Sequence, residues 1–386
     1  MKRRLRIAIL AHSTNPRGGV VHALEIGDAL CRLGHDATVH APDASGTGFF
    51  RATQCETVSV AGSPVGRDVT SMVETRVADY LRHFEAAERC KFDIWHAQDG
   101  ISGNALATLK ERALIGGFAR TVHHVDAFAD PRLLALQERA IASADRLFAV
   151  SRLWRDWLAQ KYGRTPHLIS NGVDTNRFSP VADETDAALR KRLNLPTGIF
   201  VFLAIGGVEQ RKNTIGILQA FRLVHAKCPA SRLVIAGGAS LLDHDAYQAE
   251  FTAALSASGL PEDAVIRAGP LPYVLMPALY RAADALLFPS IKEGFGLVVV
   301  EAMASGTPVV TSRIAPFTEY LGDRDVLWCD PQNPDSIAAA MALALDPSVR
   351  NALSARGLAV AVRHDWDDAA RAHIPVYEAL YEAAYA

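Results

Sequence analysis

The chain alternates short apolar runs with longer amphipathic segments, and this alternation limits the folds that it can adopt. The apolar runs span about four to seven residues, as buried strands do, and the segments between them are long enough for helices. Such a pattern predicts parallel sheets covered by helices on both faces, an α/β architecture. The predicted strands are RIAILA, ATVHAP, DIWHA, RTVHH and RLFAV in the first half and IFVFLAI, SRLVIAG, AVIRAG, DALLFPS, TPVVTS and VLWCD in the second.

A polar, turn-rich segment at residues 170–198 separates the two halves. A chain of 386 residues, of which 49% are hydrophobic, is long enough to form two cores. We therefore predict two Rossmann-like, doubly wound domains: residues 1–178 plus 364–386 form the N-terminal domain, and residues 179–363 form the C-terminal domain. Because such sheets bind ligands beyond the carboxyl ends of their strands, two facing sheets would form one central cleft.

Charge and cysteine content exclude several classes of protein. The formal net charge of −2 gives no general attraction for nucleic acid, so we expect no nucleic-acid partner. The five cysteines are scattered without a C-x-x-C pair, which argues against a zinc site or a disulfide framework. The apolar run after the basic N-terminal residues is too short for a signal peptide. We expect a cytoplasmic protein whose contact with the inner membrane face is at most peripheral.

A glycine pair follows the first predicted strand. Gly18 and Gly19, in HSTNPRGGVVHALEIG, precede a predicted helix, whose backbone amides and positive end favour an anion. The spacing matches neither a dinucleotide fingerprint nor a P-loop. A tight loop without a ligand explains the two glycines equally well.

The second half repeats this geometry and adds two cations. In AIGGVEQRKNTIGIL, Arg211 and Lys212 stand directly before a predicted helix. A guanidinium fork beside a compact ammonium suits a diphosphate. For two adjacent basic residues taken alone, an ordinary solvated pair is the commoner interpretation.

Two glutamates flank the apolar run in EGFGLVVVEAMASGTPVV. Glu293 lies in a glycine-containing turn after a predicted strand, and Glu301 lies inside the next predicted helix. Eight helical positions separate them by roughly 12 Å, too far for a pair of glycosidase carboxylates but suitable for the two ends of a sugar nucleotide. The backbone between them can approach a ligand closely because of its glycines. The alternative is two solvent-exposed glutamates.

These motifs together resemble those of retaining glycosyltransferases of the GT-B fold, specifically family 4 with its E-x7-E motif. The likeness runs from about residue 6 to residue 345. The motifs that carry it are NPRGGVVHALEIGDALCRLGHDATVHAP, DIWHAQD, TVHHVD, ISNGVDTNRF, GGVEQRKNTIGILQAF, LVIAGG, LYRAADALLFPS and PSIKEGFGLVVVEAMASGTPVV. The resemblance implies transfer of a hexosyl group from a UDP- or GDP-linked sugar to an acceptor hydroxyl, with retention of configuration and with neither a metal nor a further cofactor.

The resemblance also implies residue roles in the second half. Glu293 would contact hydroxyls of the donor sugar and Glu301 would hold the ribose, while Arg211 and Lys212 would neutralise the diphosphate. Many members carry an arginine directly after the strand-ending glycine, where this chain has Gly207. We predict that Arg211 supplies that charge instead.

In the first half, the family places a histidine at the end of a strand near the donor sugar. The register of T-x-H selects His123 rather than His124 for this role. The predicted catalytic residues are therefore Glu293, Arg211, Lys212 and His123. The predicted donor-binding residues are Gly18, Gly19, Gly294, Phe295, Gly296, Leu297 and Glu301.

Three D-x-D sequences match a motif of metal-dependent transferases of another fold. They are DHD at residues 243–245, DRD at 323–325 and DWD at 365–367. Three matches in one chain indicate how weak this motif is, so we interpret all of them as surface features and predict no metal site.

Two other functions remain open from the sequence. One is an inactive nucleotide-sugar-binding protein, and the other is a nucleotide-sugar epimerase, which needs acid and base carboxylates around the sugar.

The acceptor is expected to be a sugar, a polyol or a lipid-linked molecule. It would dock near Gly18 and Gly19 and near the segment at 43–68, whose glycines suggest mobility. Phe49 and Phe50 in this segment could contact a lipid, although packing onto the core is the favoured interpretation.

Overall fold

The computed structural model of the chain describes residues 3–66, 68–238 and 245–385. The chain forms two compact units, unit 1 at Met1–Asn171 with Trp366–Ala386 and unit 2 at Gly172–Asp365. This division lies several residues before the predicted boundary between residues 178 and 179, and the chain returns to unit 1 two positions after residue 364.

Unit 1 contains one parallel sheet of seven strands in the order β3-β2-β1-β4-β5-β6-β7. Its strands are β1 Arg6–Leu10, β2 Asp36–Asp43, β3 Glu56–Ala61, β4 Ile94–Ala97, β5 Ala119–Val122, β6 Arg146–Ala149 and β7 His167–Leu168. Its α-helices are α1 Gly18–Arg32, α2 Val69–His83, α3 Gly100–Glu111, α4 Pro131–Ala142, α5 Arg152–Tyr162 and, at the end of the chain, α14 Trp366–Tyr385.

Unit 2 contains a second parallel sheet, of six strands in the order β10-β9-β8-β11-β12-β13. Its strands are β8 Phe200–Ile205, β9 Ser231–Ala236, β10 Val265–Gly269, β11 Ala285–Phe288, β12 Val309–Ser312 and β13 Leu327–Cys329. Its α-helices are α6 Glu184–Arg192, α7 Thr214–His225, α8 Asp245–Ala257, α9 Met276–Ala282, α10 Leu297–Ala304, α11 Phe317–Tyr320, α12 Pro334–Leu343 and α13 Pro347–Ala361.

The helix boundaries follow from local chemistry. Asp99 caps α3, since its carboxylate accepts from the Ser102 amide while the Ser102 hydroxyl bonds back to Asp99, which forms a capping box. Helix α1 ends before Gly34, whose φ of +88° is left-handed and favours glycine. The Asp99 cap thus lies at the carboxyl end of β4, whereas Gly34 lies in the loop that leads into β2.

Every predicted apolar run contains a strand, so these predictions are confirmed. Strands β3 and β7 were not predicted. Strand β3 lies at the sheet edge and is mostly exposed, so it lacks the continuous apolar run of a central strand. Strand β7 has only two residues, too few to give any periodic signal.

The segment at 43–68 is tied to its surroundings at several points. The Asp43 carboxylate accepts from the amides of Ser45, Gly46 and Gly48 at 2.7–3.0 Å. The Asp28 carboxylate on α1 accepts from the amides at 54 and 55 at 2.7 and 2.9 Å. Phe49 and Phe50 are partly buried, and Arg67 of this segment lies outside the described residues.

Neither a disulfide nor a membrane span is found in the part of the chain that the structure describes. All five cysteines are free. Among the described residues, no helix is both long and apolar enough to cross a bilayer.

Candidate functional site

The loop between β8 and α7 brings Lys212 over a glycine. Gly206 has a φ of +121°, and a Cβ at this position would lie 2.8 Å from Lys212 Cε. Both the backbone conformation and the space therefore require glycine. The absence of a side chain at position 206 lets the lysine cross the end of β8 and reach the neighbouring strand β11.

Lys212 and Arg211 meet on one carboxylate. Lys212 Nζ lies 2.7 Å from Glu293 Oε1, and Arg211 Nη1 lies 2.9 Å from the same oxygen. Arg211 Nη1 also donates to the Lys292 carbonyl at 3.3 Å. Lys212 Nζ lies 4.3 Å from the centre of the Phe288 ring, a cation–π contact. The three predicted catalytic residues of unit 2 thus form one cluster, in which Arg211 points toward Lys212 and Glu293.

The carboxylate of this cluster is buried, while Arg211 and Lys212 are partly exposed. Glu293 is only 6% exposed. Burial would raise the pKa of Glu293, but the charges of Lys212 and Arg211 outweigh it and hold that pKa below its usual value. Burial lowers the pKa of Lys212, and the Glu293 carboxylate opposes this shift. Glu293 and Lys212 therefore support each other's charge, and removing one leaves a poorly solvated charge behind.

The second glutamate of the motif is held by a tyrosine. Glu301 lies on α10 as predicted and is 7% exposed. The Tyr280 hydroxyl, fully buried on α9, donates to Glu301 Oε2 at 2.7 Å. Burial, followed by the Glu301 charge, raises the pKa of Tyr280 far above its usual range. Since both glutamates are buried, the alternative of two solvent-exposed glutamates is wrong.

The backbone between the glutamates is packed into unit 2. Gly296 has a φ of +94°, and a Cβ there would lie 2.6 Å from Phe317 Cε1, so only glycine fits before α10. The Phe295 ring stacks on Tyr320 with the ring centres 4.8 Å apart, and the Tyr320 hydroxyl donates to the Phe295 carbonyl at 3.1 Å. The side chain of Phe295 is thus part of the packing, Gly294 is buried beside it, and Leu297 begins α10.

Unit 1 brings His123 and Gly19 together. A Cβ at Gly19 would lie 3.6 Å from His123 Cδ2 and Nε2, an ordinary contact distance, whereas no atom of the described residues lies within 4 Å of a Cβ at Gly18. The His22 ring meets the His123 ring edge-on, with the ring centres 4.8 Å apart. Burial, with a smaller contribution from His124, lowers the pKa of His123 to about 3, so the imidazole is neutral near neutral pH.

Helix α1 begins at Gly18. The contact that the sequence predicts between its first amides and an anion stays a prediction.

Among the described residues, aspartates of the D-x-D sequences form contacts with other residues of the protein. Asp323 bonds Arg313 at 2.8 Å, and Asp367 bonds Arg32 at 2.6 Å. Asp325 is buried, contrary to its interpretation as a surface residue, because it accepts from the Gly322 amide at 2.8 Å. Residues 243 and 244 of the DHD sequence lie outside the described residues. In the described ranges no group of three or more His, Cys, Asp or Glu side chains is arranged to hold a metal.

Sequence reasoning missed two partners of the site residues. Tyr280, which bonds Glu301, and Gln98, which lies 3.1 Å from His123, occur in the motifs LYRAADALLFPS and DIWHAQD without an assigned role. Gln98 follows β4 and His123 follows β5, and these two strands are neighbours in the sheet. The position of Gln98 directly after a strand was the sequence signal that could have indicated this contact. For Tyr280 no sequence signal points to Glu301, because the two meet only through packing of α9 on α10.

Comparison with known proteins identifies the family. The family described as Glycosyltransferase Family 4 matches residues 16–177, and the family described as Glycosyl transferases group 1 matches residues 185–360. A D-inositol 3-phosphate glycosyltransferase from Acidothermus cellulolyticus is 32% identical over 314 residues, which cover 75% of this chain and 68% of that protein. The chain belongs to the family 4-like glycosyltransferases.

Solved structures show the fold of this glycosyltransferase. Sucrose-phosphate synthase from Thermosynechococcus elongatus matches with a TM-score of 0.82 at 22% identity, covering 98% of this chain and 100% of that one. The Anabaena protein HepE in complex with UDP-glucose matches with a TM-score of 0.76 at 20% identity, covering 98% and 100%. The predicted GT-B fold is confirmed, and the enzyme is a glycosyltransferase.

Proposed function

We propose that this glycosyltransferase moves a hexosyl group from a UDP- or GDP-linked sugar to an acceptor hydroxyl, with retention of configuration and without a metal or other cofactor. The observation that carries the proposal is the convergence of Lys212 and Arg211 on the Glu293 carboxylate. A sugar nucleotide has a dianionic diphosphate beside a hydroxyl-rich sugar, and this cluster offers two cations beside one acceptor of hydroxyl hydrogen bonds.

The two cations take the place that a metal has in other transferases. As the bond between the anomeric carbon and the diphosphate breaks, negative charge grows on the leaving phosphate oxygens. Cations already held in position by Glu293 stabilise that charge more in the transition state than in the ground state. The acceptor oxygen bonds the anomeric carbon on the face that the diphosphate leaves, and the departing nucleoside diphosphate takes up the acceptor proton.

The remaining predicted residues bind the donor along its length. We assign Glu301 to the ribose, Glu293 and His123 to sugar hydroxyls, and the glycine-rich backbone at 294–297 to the region between them. The start of helix α1 at Gly18 and Gly19 is assigned to an anionic group of a ligand. HepE was solved with UDP-glucose, which supports a UDP-linked donor as the first to be tested.

The acceptor is a sugar or polyol hydroxyl, either free or lipid-linked. The relative from Acidothermus cellulolyticus is named for D-inositol 3-phosphate, which supports a polyol as the first class to be tested. Contact with a membrane would be peripheral.

The test begins with the donor. The protein is heated with UDP- and GDP-linked hexoses, and a donor at about 100 times its Kd should stabilise the fold by about 2.7 kcal/mol. That donor is then incubated with candidate acceptors, and the anomeric configuration of the product is read by NMR, with and without a chelator. An inverted product would refute retention, and loss of turnover with the chelator would refute metal independence.

The alternatives give different results in the same assay. An inactive binding protein would be stabilised by a donor but would transfer no sugar to any acceptor. An epimerase would convert the donor into its epimer in the absence of an acceptor.

A further inference from the structure

Gln98 contacts the predicted sugar-binding histidine from the neighbouring strand. His123 Nε2 lies 3.1 Å from Gln98 Oε1. Gln98 directly follows β4 and His123 directly follows β5, and these strands pair in parallel, with Ala97 opposite Arg120. The two side chains therefore meet at the same edge of the unit 1 sheet.

Gln98 is itself held in a fixed place. It is only 2% exposed, and its backbone amide donates to the Leu10 carbonyl at 3.0 Å and to the Ser102 hydroxyl at 3.1 Å. Its side-chain nitrogen faces the buried ring of His96, 3.4 Å from each ring nitrogen. The amide thus has its nitrogen toward His96 and its carbonyl oxygen toward His123.

His96 continues this chain of contacts to the C-terminal helix. Its Nε2 lies 2.8 Å from the Thr121 hydroxyl, and its Nδ1 lies 2.7 Å from the Tyr377 hydroxyl on α14. His96 and Tyr377 are both fully buried. A continuous run of buried polar side chains, from Tyr377 through His96 and Gln98, ends at His123.

The amide oxygen of Gln98 determines which ring nitrogen of His123 carries the proton. A carbonyl oxygen only accepts hydrogen bonds, so the ring nitrogen facing it must carry the proton. A neutral imidazole carries one proton, and with that proton on Nε2 the other nitrogen, Nδ1, has a lone pair. The His123 ring is then a hydrogen-bond acceptor for a hydroxyl group.

We propose that Gln98 is a positioning residue for sugar transfer: it holds His123 as the Nε2–H tautomer and so makes Nδ1 the acceptor for a hydroxyl of the bound sugar. This inference rests on the proposed function, in which His123 contacts the sugar. It adds a residue that acts through His123 rather than by touching the substrate.

Several ionisable groups face His123, and they act together with burial on its charge. Burial, the largest influence, and the basic neighbours lower the pKa of His123, Asp99 opposes them, and the resulting pKa is about 3. The groups are His22 on α1, His12 after β1, Asp99 after β4, and Arg120 and His124 on and after β5. Since Gln98 is uncharged, it orients the ring without promoting its protonation.

The first measurement reads the tautomer directly. The full-length protein labelled with ¹⁵N-histidine gives imidazole ¹⁵N correlations, and comparison with His123→Asn assigns the His123 signals. We expect a proton on Nε2. A proton on Nδ1 in the unaltered protein overturns the inference, whatever the variants do.

The second measurement uses two replacements of Gln98. Gln98→Leu removes the carbonyl, so the His123 signals should shift toward a mixture of tautomers and kcat should fall roughly 10- to 100-fold, with a smaller change in KM. Gln98→Glu puts a carboxylate beside Nε2, which favours the imidazolium, so kcat should decline with falling pH in a range where the parent enzyme is flat. The control is Gln160→Glu on the exposed side of α5, which should leave the profile unchanged.

These readouts separate the inference from the proposed function. If no donor and acceptor give transfer, the proposed function fails, while the tautomer and its response to Gln98→Leu are still measurable. If transfer occurs but Gln98→Leu changes neither the His123 signals nor kcat, the positioning role is wrong.

Discussion

Unit 2 places three charged side chains, Glu293, Lys212 and Arg211, in mutual contact, whereas unit 1 places the neutral imidazole of His123 against the neutral amide of Gln98. In the charged cluster Lys212 and Arg211 keep Glu293 ionised, and the Glu293 carboxylate opposes the effect of burial on Lys212. In the neutral cluster burial keeps the ring uncharged. The enzyme thus has two kinds of polar cluster, one charged and one neutral. We expect different changes in pH or sequence to destabilise each of them.

Acid should affect unit 1 before unit 2. Burial lowers the pKa of His40 to about 3 and that of His373 to about 4, and it also lowers those of His22 and His96. Because these folded-state values lie below the unfolded value near 6.5, the unfolded chain takes up protons first, and stability falls as the pH drops from 6.5 toward the folded values. Between pH 6.5 and 5 the loss is about 2 kcal/mol for each of His40 and His373.

Hydrogen exchange at pH 7 and pH 5, read by mass spectrometry, tests this order. Peptides from the unit 1 sheet should lose protection at pH 5 while those from the unit 2 sheet keep it. Earlier loss of protection in unit 2 would show that the buried histidines do not control acid stability.

Removing the carboxylate of the charged cluster should destabilise the unliganded enzyme. Glu293→Ala removes the carboxylate that Lys212 contacts and leaves Arg211 only Glu209, at 3.9 Å, which we expect to lower the free energy of unfolding by about 3 kcal/mol. UDP or GDP should restore part of this loss, because a diphosphate supplies the missing negative charge. Urea unfolding with and without nucleotide measures both effects, and Glu262→Ala on the exposed surface is the control. Equal stability of Glu293→Ala and Glu262→Ala would contradict the mutual ionisation.

Replacing the lysine should affect turnover more than folding. In Lys212→Ala, one of the two cations assigned to the leaving diphosphate is lost, so kcat should fall about 10²- to 10³-fold. Arg211 still pairs with Glu293 at 2.9 Å, and the fold should survive. Steady-state kinetics and circular dichroism measure the two effects, with the exposed Lys227→Ala as the matched control. Normal turnover in Lys212→Ala would exclude a role for this lysine in leaving-group stabilisation.

The smallest expected effect is at Tyr280. Tyr280→Phe removes the donor to Glu301 Oε2, so Glu301 should hold the ribose less well, and the donor KM should rise about tenfold with little change in kcat. The effect should shrink for a donor that lacks the ribose hydroxyl bonded by Glu301, so donors with 2′-deoxy and 3′-deoxyribose serve as the comparison. The same rise for every donor would mean that Tyr280 acts only on the packing of α9.

The sequence predicted most of the scaffold, because strands and helices depend on local patterns. The roles of the individual site residues follow from the family resemblance and stay predictions. Central strands such as β8 are continuous apolar runs, whereas the exposed edge strand β3 is not, and it was missed. The contacts between site residues could not be predicted in the same way. Gln98 and His123 are 25 positions apart along the chain, and Tyr280 and Glu301 are 21 apart. Only the packing of the folded protein brings the members of each pair into contact.

The contacts within the charged cluster of unit 2 also could not be predicted from the sequence. The family likeness assigned Arg211 and Lys212 to a diphosphate, but it did not indicate that both bond Glu293. Likewise Asp325 was interpreted as a surface residue, since its ion pair with Arg356, 31 positions later in the chain, forms only in the folded protein.

Helix α14 belongs to unit 1 although unit 2 separates it from the rest of that unit along the chain. The Tyr377 hydroxyl on this helix contacts His96, and the helix packs against α1 and β4. During synthesis, unit 2 can therefore finish folding while unit 1 still lacks its last helix. Ribosome-bound nascent chains halted before residue 366 should expose the surface of β4 and α1, and a chaperone could recognise the enzyme at this stage.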